Sequence, residues 1–106
     1  MVTFIARVRI VPGREEAALA RAGDMVKAVK ELEPGALVYM AHRSHNDLGV
    51  MVFFEVYKDK KAREAHDQTP HFAELVKDFG EVFDIDYGVQ VEMLSHVAGF
   101  TRYEGD

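Results

Sequence analysis

The chain has 106 residues, 48% of them hydrophobic and 29% charged, which is one domain's worth of globular sequence. Thirteen Lys and Arg against 18 Asp and Glu leave a net charge of −5. That balance repels phosphate backbones, and no basic stripe offsets it, so nucleic acid is set aside as a partner. The absence of cysteine excludes disulfides, thiolate nucleophiles, Cys-ligated zinc and iron–sulfur clusters.

In the first ten residues Val2, Phe4, Ala6, Val8 and Ile10 alternate with Thr3, Ile5, Arg7 and Arg9, the period-two pattern of a strand. Arg7 and Arg9 interrupt what a signal peptide would keep apolar, and no stretch approaches membrane-spanning length. The expectation is a cytoplasmic protein with no membrane partner. "VPG" ends the strand. From Arg14 to Glu33, Ala18, Ala22, Met25, Val29 and Leu32 recur at three- and four-residue steps and predict a helix with one buried stripe, closed by "EPG" at 33–35.

"ALVYMAHR" and "GVMVFFEVY" predict two strands of a hairpin, joined by the polar loop "SHNDLG" with Gly49 at its exit. Asp59 can cap a short helix over 60–68. Thr69 and Pro70 fit the cap and first position of a further helix with the stripe Phe72, Leu75, Val76, Phe79 and Phe83. "YGVQVEMLSHV" predicts a last strand before a polar tail. The order strand, helix, strand, strand, helix, strand is the α+β, ferredoxin-like split βαβ sandwich. We expect a single domain over 1–106, with its core at about 2–95 and a tail at 97–106.

The pattern places Val50, Val52, Phe54 and Val56 toward the helices. Met51, Phe53 and Tyr57 then fall on the open sheet face, where Glu55 could pair with Arg7 or Arg9. An apolar open face calls for a cover, and a second copy of the chain is the simplest one, so a homodimer is expected.

Histidines dominate the chemistry on offer. In "EAHDQTPHF", His66 falls on the sheet-facing side of its short helix. His71 sits near the start of the next helix, where the dipole disfavours imidazolium and leaves a neutral ring able to accept a proton. Each also has a plain structural reading, as a hydrogen-bonded core-edge residue and as a solvent-facing first-turn residue. Their five-residue spacing is not that of two metal ligands one helical turn apart, and no third ligand lies nearby in sequence, so no metal is expected. His42, His45 and Asp47 form a second cluster, read as a solvated hairpin loop. No glycine-rich phosphate loop or serine nucleophile elbow is present.

The run "EVYKDKKAREAHDQTPHFAEL" (55–75), with "VPGREEA" (11–17) and "EPGALVY" (33–39), resembles the antibiotic biosynthesis monooxygenase (ABM) family of dimeric α+β barrels across roughly residues 2–95. The resemblance implies a homodimer that oxygenates small aromatic or quinol-type molecules with dioxygen as co-substrate and no flavin, haem or metal. It makes His66 the acid–base residue and His71 its helper, in an apolar pocket between helices and sheet with Ala6, Tyr39, Phe54, Phe72 and Val76 as substrate-binding residues. Members that degrade haem use an asparagine and a tryptophan where this chain has Ala6 and His66. The same segment is also similar to relatives that isomerise a phosphorylated autoinducer-2 signal, for which Arg43, Lys58 or Arg63 would have to anchor the phosphate. A non-catalytic small-molecule-binding or stress-related dimer of the same fold is the third expectation.

Overall fold

The computed structural model describes residues 1–103; the last three residues of the expected tail lie outside the described residues. Its elements are β1 (Val2–Arg9), α1 (Glu15–Leu32), β2 (Ala36–Arg43), β3 (Val50–Tyr57), α2 (Lys60–His66), α3 (Pro70–Lys77), α4 (Phe79–Val82) and β4 (Gln90–Leu94). The sheet order is β2-β3-β1-β4, antiparallel throughout. With the third strand between the first and second, this is the expected ferredoxin-like arrangement. Gly13, at φ +87°, makes the turn of "VPG" that a residue with a Cβ would resist.

Phe4, Ala6 and Val8 of β1 and Met51, Phe53 and Tyr57 of β3 form one core with Ala18 and Ala22 of α1 and Val82 of α4; Ala62 of α2 and Leu75 of α3 pack against it. All four helices therefore lie against one sheet face. The β1–β3 register, Phe4 opposite Glu55 and Ala6 opposite Phe53, fixes the phase of β3. Met51, Phe53, Glu55 and Tyr57 face the helices, and Val50, Val52, Phe54 and Val56 face away, the reverse of the sequence expectation. The pattern could not decide because β3 is apolar in both phases, and a one-residue shift exchanges the two faces. Nor does Glu55 pair with an arginine of β1. Arg7 lies 3.8 Å from Glu92 and Arg9 binds Asp47 at 2.8 Å.

The segment after Thr69 is two helices rather than one. Asp78 leaves helical geometry at φ −107°, α4 is a single turn, and Phe83 is already extended and bridges Ile10. Val76 consequently points to solvent while Phe79 and Val82 complete the core. Among the described residues no helix is long and apolar enough to cross a membrane.

Candidate active site

Three helix ends converge on one carboxylate. Glu33 stands at the C-terminal cap of α1, where Pro34 and Gly35 stop the helix. A negative charge at that end is disfavoured by the helix dipole unless it finds donors. Two imidazoles supply them. His66 Nδ1 lies 2.9 Å from both Glu33 oxygens, and His71 Nε2 lies 2.5 Å from Glu33 Oε2. The three side chains are 8%, 4% and 13% exposed in the order Glu33, His66, His71.

The local sequence explains how residues five apart reach one acceptor. Asp59 caps α2 by accepting from Ala62 N at 2.8 Å, and His66 is its last residue. Thr69 donates its hydroxyl to the His66 carbonyl at 2.8 Å and accepts from Phe72 N at 3.2 Å, so one side chain closes α2 and opens α3. Pro70 occupies the first turn, where a missing N–H costs nothing. The chain turns between the two histidines, and their separation in sequence no longer measures their separation in space.

An ionised carboxylate only accepts hydrogen bonds, so each ring nitrogen facing Glu33 carries its hydrogen. On a neutral ring the opposite nitrogen bears the lone pair. For His71 that nitrogen, Nδ1, is buried with no partner. Buried polar atoms are nearly always paired, so this nitrogen and Glu15 Oε2, the two orphans among the described residues, each call for an explanation. His71 lines a cavity of about 300 Å³ between α1 and α3.

Behind it, the His66 ring is held by Tyr39 at 5.7 Å, Tyr57 at 5.5 Å and the edge of Phe72 at 5.1 Å. Beyond Tyr57 lies Glu55, a second buried acid, whose Oε1 accepts from the Tyr57 hydroxyl at 2.7 Å. Burial pushes the Glu55 carboxyl above the ordinary carboxylate range; the Tyr57 hydrogen bond and the nearby His66 and Arg63 offset part of this. Burial and the Glu55 carboxylate hold the Tyr57 phenol far above its usual value, and burial does the same to Tyr39.

The structure thus brings together His66, His71, Tyr39 and Phe72 of the expected site. Ala6 lies in the core under them, opposite Phe53. Phe54 is on the other sheet face and Val76 is exposed, so neither joins the cluster. His42 and His45 stay at the hairpin, where Asp47 is committed to Arg9 and to Gly49 N. Glu33 and Glu55 were missed. Glu33 was read only as the helix stop in "EPG", although an acid at a helix C-terminus is itself a signal of a buried partner. Glu55 was hidden by the inverted phase of β3.

Glu33, His66 and His71 also form a donor set of the kind that holds metals, with their ligand atoms within 4.8 Å of one another. An ion would take the lone pairs of His66 Nδ1 and His71 Nε2 and move each hydrogen to the far side of its ring. His71 Nδ1 would become a buried donor without an acceptor, whereas metal-bound histidines almost always donate that hydrogen. Glu33, at the end of α1, is the third ligand atom that the sequence spacing of the two histidines does not show.

Residues 1–78 match the family model described as antibiotic biosynthesis monooxygenase. A solved structure from Pseudomonas aeruginosa, PA3566, is 27% identical and superposes with a TM-score of 0.80 over 92% of this chain and 94% of that one. Rv0793 of Mycobacterium tuberculosis is 26% identical, with a TM-score of 0.81 over 94% and 98%. A Caulobacter crescentus protein provisionally assigned as an antibiotic biosynthesis monooxygenase is 26% identical, with a TM-score of 0.83 over 92% and 90%. An uncharacterised Synechocystis protein is 25% identical over 76 residues, which is 72% of this chain; the match spans about half (51%) of that curated relative's length. On the match of its first 78 residues, the chain belongs to the antibiotic biosynthesis monooxygenase family.

Proposed function

We propose that the protein is a cofactor-independent monooxygenase of a small aromatic or quinol-type substrate, and that His71 is its base, with Glu33 and His66 as the residues that position it. The observation that carries this reading is the convergence of two imidazoles on Glu33, with the His71 side chain lining the α1–α3 cavity and its Nδ1 without a partner within the protein. This reading exchanges the roles expected from sequence, on the ground that His66 is packed among Tyr39, Tyr57 and Phe72 while the His71 side chain lines the cavity.

In this mechanism Nδ1 of His71 takes the hydroxyl proton of the enol form of a CH₂–carbonyl substrate such as an anthrone, and Glu33 steadies the imidazolium that forms. The resulting carbanion-like substrate transfers an electron to dioxygen, and the two radicals combine into a carbon-bound peroxide. His71 returns its proton to the peroxide, which loses water. One oxygen atom remains as a carbonyl and the other leaves as water, so a CH₂ carbon supplies all the electrons and no external reductant is required. The protein contributes a base and a partly apolar floor of Met25 and Leu75.

Oxygen uptake by chelator-treated protein against a panel of hydroquinones and anthrones tests the proposal. We expect turnover that His71→Ala lowers by roughly 10²- to 10⁴-fold, and His66→Ala by less. Saturable binding with no uptake above spontaneous oxidation would replace it with a non-catalytic binding protein. Turnover of a phosphorylated keto-sugar without oxygen would replace it with an isomerase. For that isomerase, Arg63 is already paired with Asp67 and Arg43 with the Leu48 carbonyl, which leaves Lys58, at a second cavity of about 510 Å³, as the anchor.

The proposal includes a homodimer across the open sheet face. There Ile5, Met40, Val52 and Phe54 form a half-buried apolar patch that a second copy would cover.

A further inference from the structure

We propose that Arg21 holds the oxygen anion created when His71 takes the substrate's proton, and that the cavity is built for a molecule that enters neutral and ionises inside. This rests on the reading of His71 as the base.

Arg21 and His71 line the same cavity, one from α1 and one from α3. The guanidinium is anchored: Nη1 donates to the Asp78 carbonyl at 2.7 Å, and Nη2 lies 3.8 Å from Glu81 Oε2. Its side chain is 26% exposed. A guanidinium has five N–H donors, and two tethers leave others free to meet an oxygen in the cavity, already oriented and with little entropy left to lose. It is the one cationic side chain lining this cavity. Beside it Met25 is buried and Leu75 half-buried, an apolar floor suited to a ring, and about 300 Å³ is the small end of ligand cavities, room for one or two rings.

The remaining lining groups are Asp24, Glu74 and Asp78. Asp24 and Glu74 are exposed, so they stand at the rim, while Arg21 and His71 are more deeply set. A ligand that arrives as an anion meets two carboxylates first. A neutral weak acid passes them, gives its proton to His71, and leaves its charge beside Arg21. Phosphate esters and carboxylates are thereby disfavoured as substrates, and weakly acidic phenols favoured.

A nitrophenol, whose phenolate absorbs visible light, reads this without turnover. We expect saturable binding to the wild-type protein and a bound-state phenol pKa roughly one to three units below that of the free probe. Arg21→Met should raise that pKa toward the free value. Arg21→Lys should retain most of the depression. Glu81→Gln, which loosens one tether but keeps the guanidinium, should also retain it, and so separates the charge from the structural staple. His71→Ala should lower oxygen uptake by roughly 10²- to 10⁴-fold yet leave the bound phenol depressed. A bound pKa identical in wild type and Arg21→Met would overturn the inference, as would absence of saturable binding, whether or not oxygen uptake is found. A depression lost in His71→Ala but intact in Arg21→Met would assign it to the histidine alone and overturn Arg21's role. No oxygen uptake with the Arg21 effect present would sink the monooxygenase reading and leave this one standing.

Discussion

Both faces of the sheet carry an apolar row of β3, and they differ in what else they bury. Toward the helices, β1 and β3 present Phe4, Ala6, Val8, Met51, Phe53 and Tyr57, and within that layer sit Glu55 and the His66–Glu33–His71 relay. The open face presents Ile5, Val52 and Phe54 beside Arg7 and Glu92, with no buried acid or imidazole among its described residues. Ionisable groups out of water are costly unless each has a partner, so they mark a face kept for more than packing. Apolarity without them asks only for a cover.

The largest expected effect separates the faces directly. Phe53 is 9% exposed and packs against Tyr39 at 6.0 Å. Phe53→Asp removes that ring and strands a carboxylate in the core, at a cost of roughly 5 kcal/mol or more, and should unfold the domain. Phe54→Asp, one residue along, should keep the circular dichroism spectrum while sedimentation equilibrium reports monomer in place of dimer. If Phe54→Asp unfolds the chain and Phe53→Asp does not, the face assignment is broken.

Next is Glu33→Ala, which leaves two buried imidazole hydrogens without their acceptor. We expect a loss of about 3–5 kcal/mol in urea denaturation, with turnover down by the factor expected for His71→Ala. Glu33→Gln keeps one acceptor oxygen and should lose less stability. His42→Ala, on the exposed hairpin strand end, is the contrast and should stay within about 0.5 kcal/mol of wild type. Equal losses for Glu33→Ala and His42→Ala would remove the relay from the account.

These residues also mark where the sequence is informative. Element order, the caps at Asp59 and Thr69, the stripe of α1 as far as Val29 and the strand order follow from local signals, because propensity, periodicity and capping agree there, whereas Leu32, expected in that stripe, is exposed. The phase of β3 does not, since Met51-Phe53-Tyr57 and Val50-Val52-Phe54-Val56 are both apolar rows and only pairing with β1 chooses between them. His66 and His71 were visible as a pair, but their common partner lies 33 and 38 residues upstream, a contact made by tertiary folding alone. The continuous helix expected through Phe83 fails at Asp78, where helix propensity is weak, and ends at Phe83, which the bridge to Ile10 returns to the sheet.

A smaller effect sharpens the view of the helix-side face. Burial raises the Glu55 carboxyl, so the folded state binds that proton more tightly than the unfolded one does. Its favourable contribution is complete below the unfolded carboxylate pKa of about 4.3 and is lost as pH rises through the raised folded value. Glu55→Gln mimics the neutral acid at every pH. It should be more stable than wild type at neutral pH, with the gap closing as pH falls toward the unfolded carboxylate value. A pH-independent gap would mean that Glu55 is ionised at no cost, and that the Tyr57 hydroxyl with its other neighbours satisfies it fully.

The smallest effect belongs to the hairpin on the far side of the molecule. Asp47 accepts from Arg9 at 2.8 Å and from Gly49 N at 3.0 Å. These two bonds hold its carboxyl below the usual range, with the side-chain bond from Arg9 the larger cause. The sign is opposite to that of Glu55: the contribution is present above the unfolded carboxylate pKa and is lost as pH falls through the lowered folded value. Because the pair is open to water, it should leave the global unfolding midpoint unmoved. The change should appear locally, as faster exchange of the Gly49 amide hydrogen in acid, relative to the intrinsic rate at that pH and before the sheet opens. Asp47→Asn should show the faster exchange already at neutral pH. Exchange at Gly49 that tracks global unfolding in both proteins would place the loop within the cooperative unit that includes the relay, and the two regions would then share one stability instead of two.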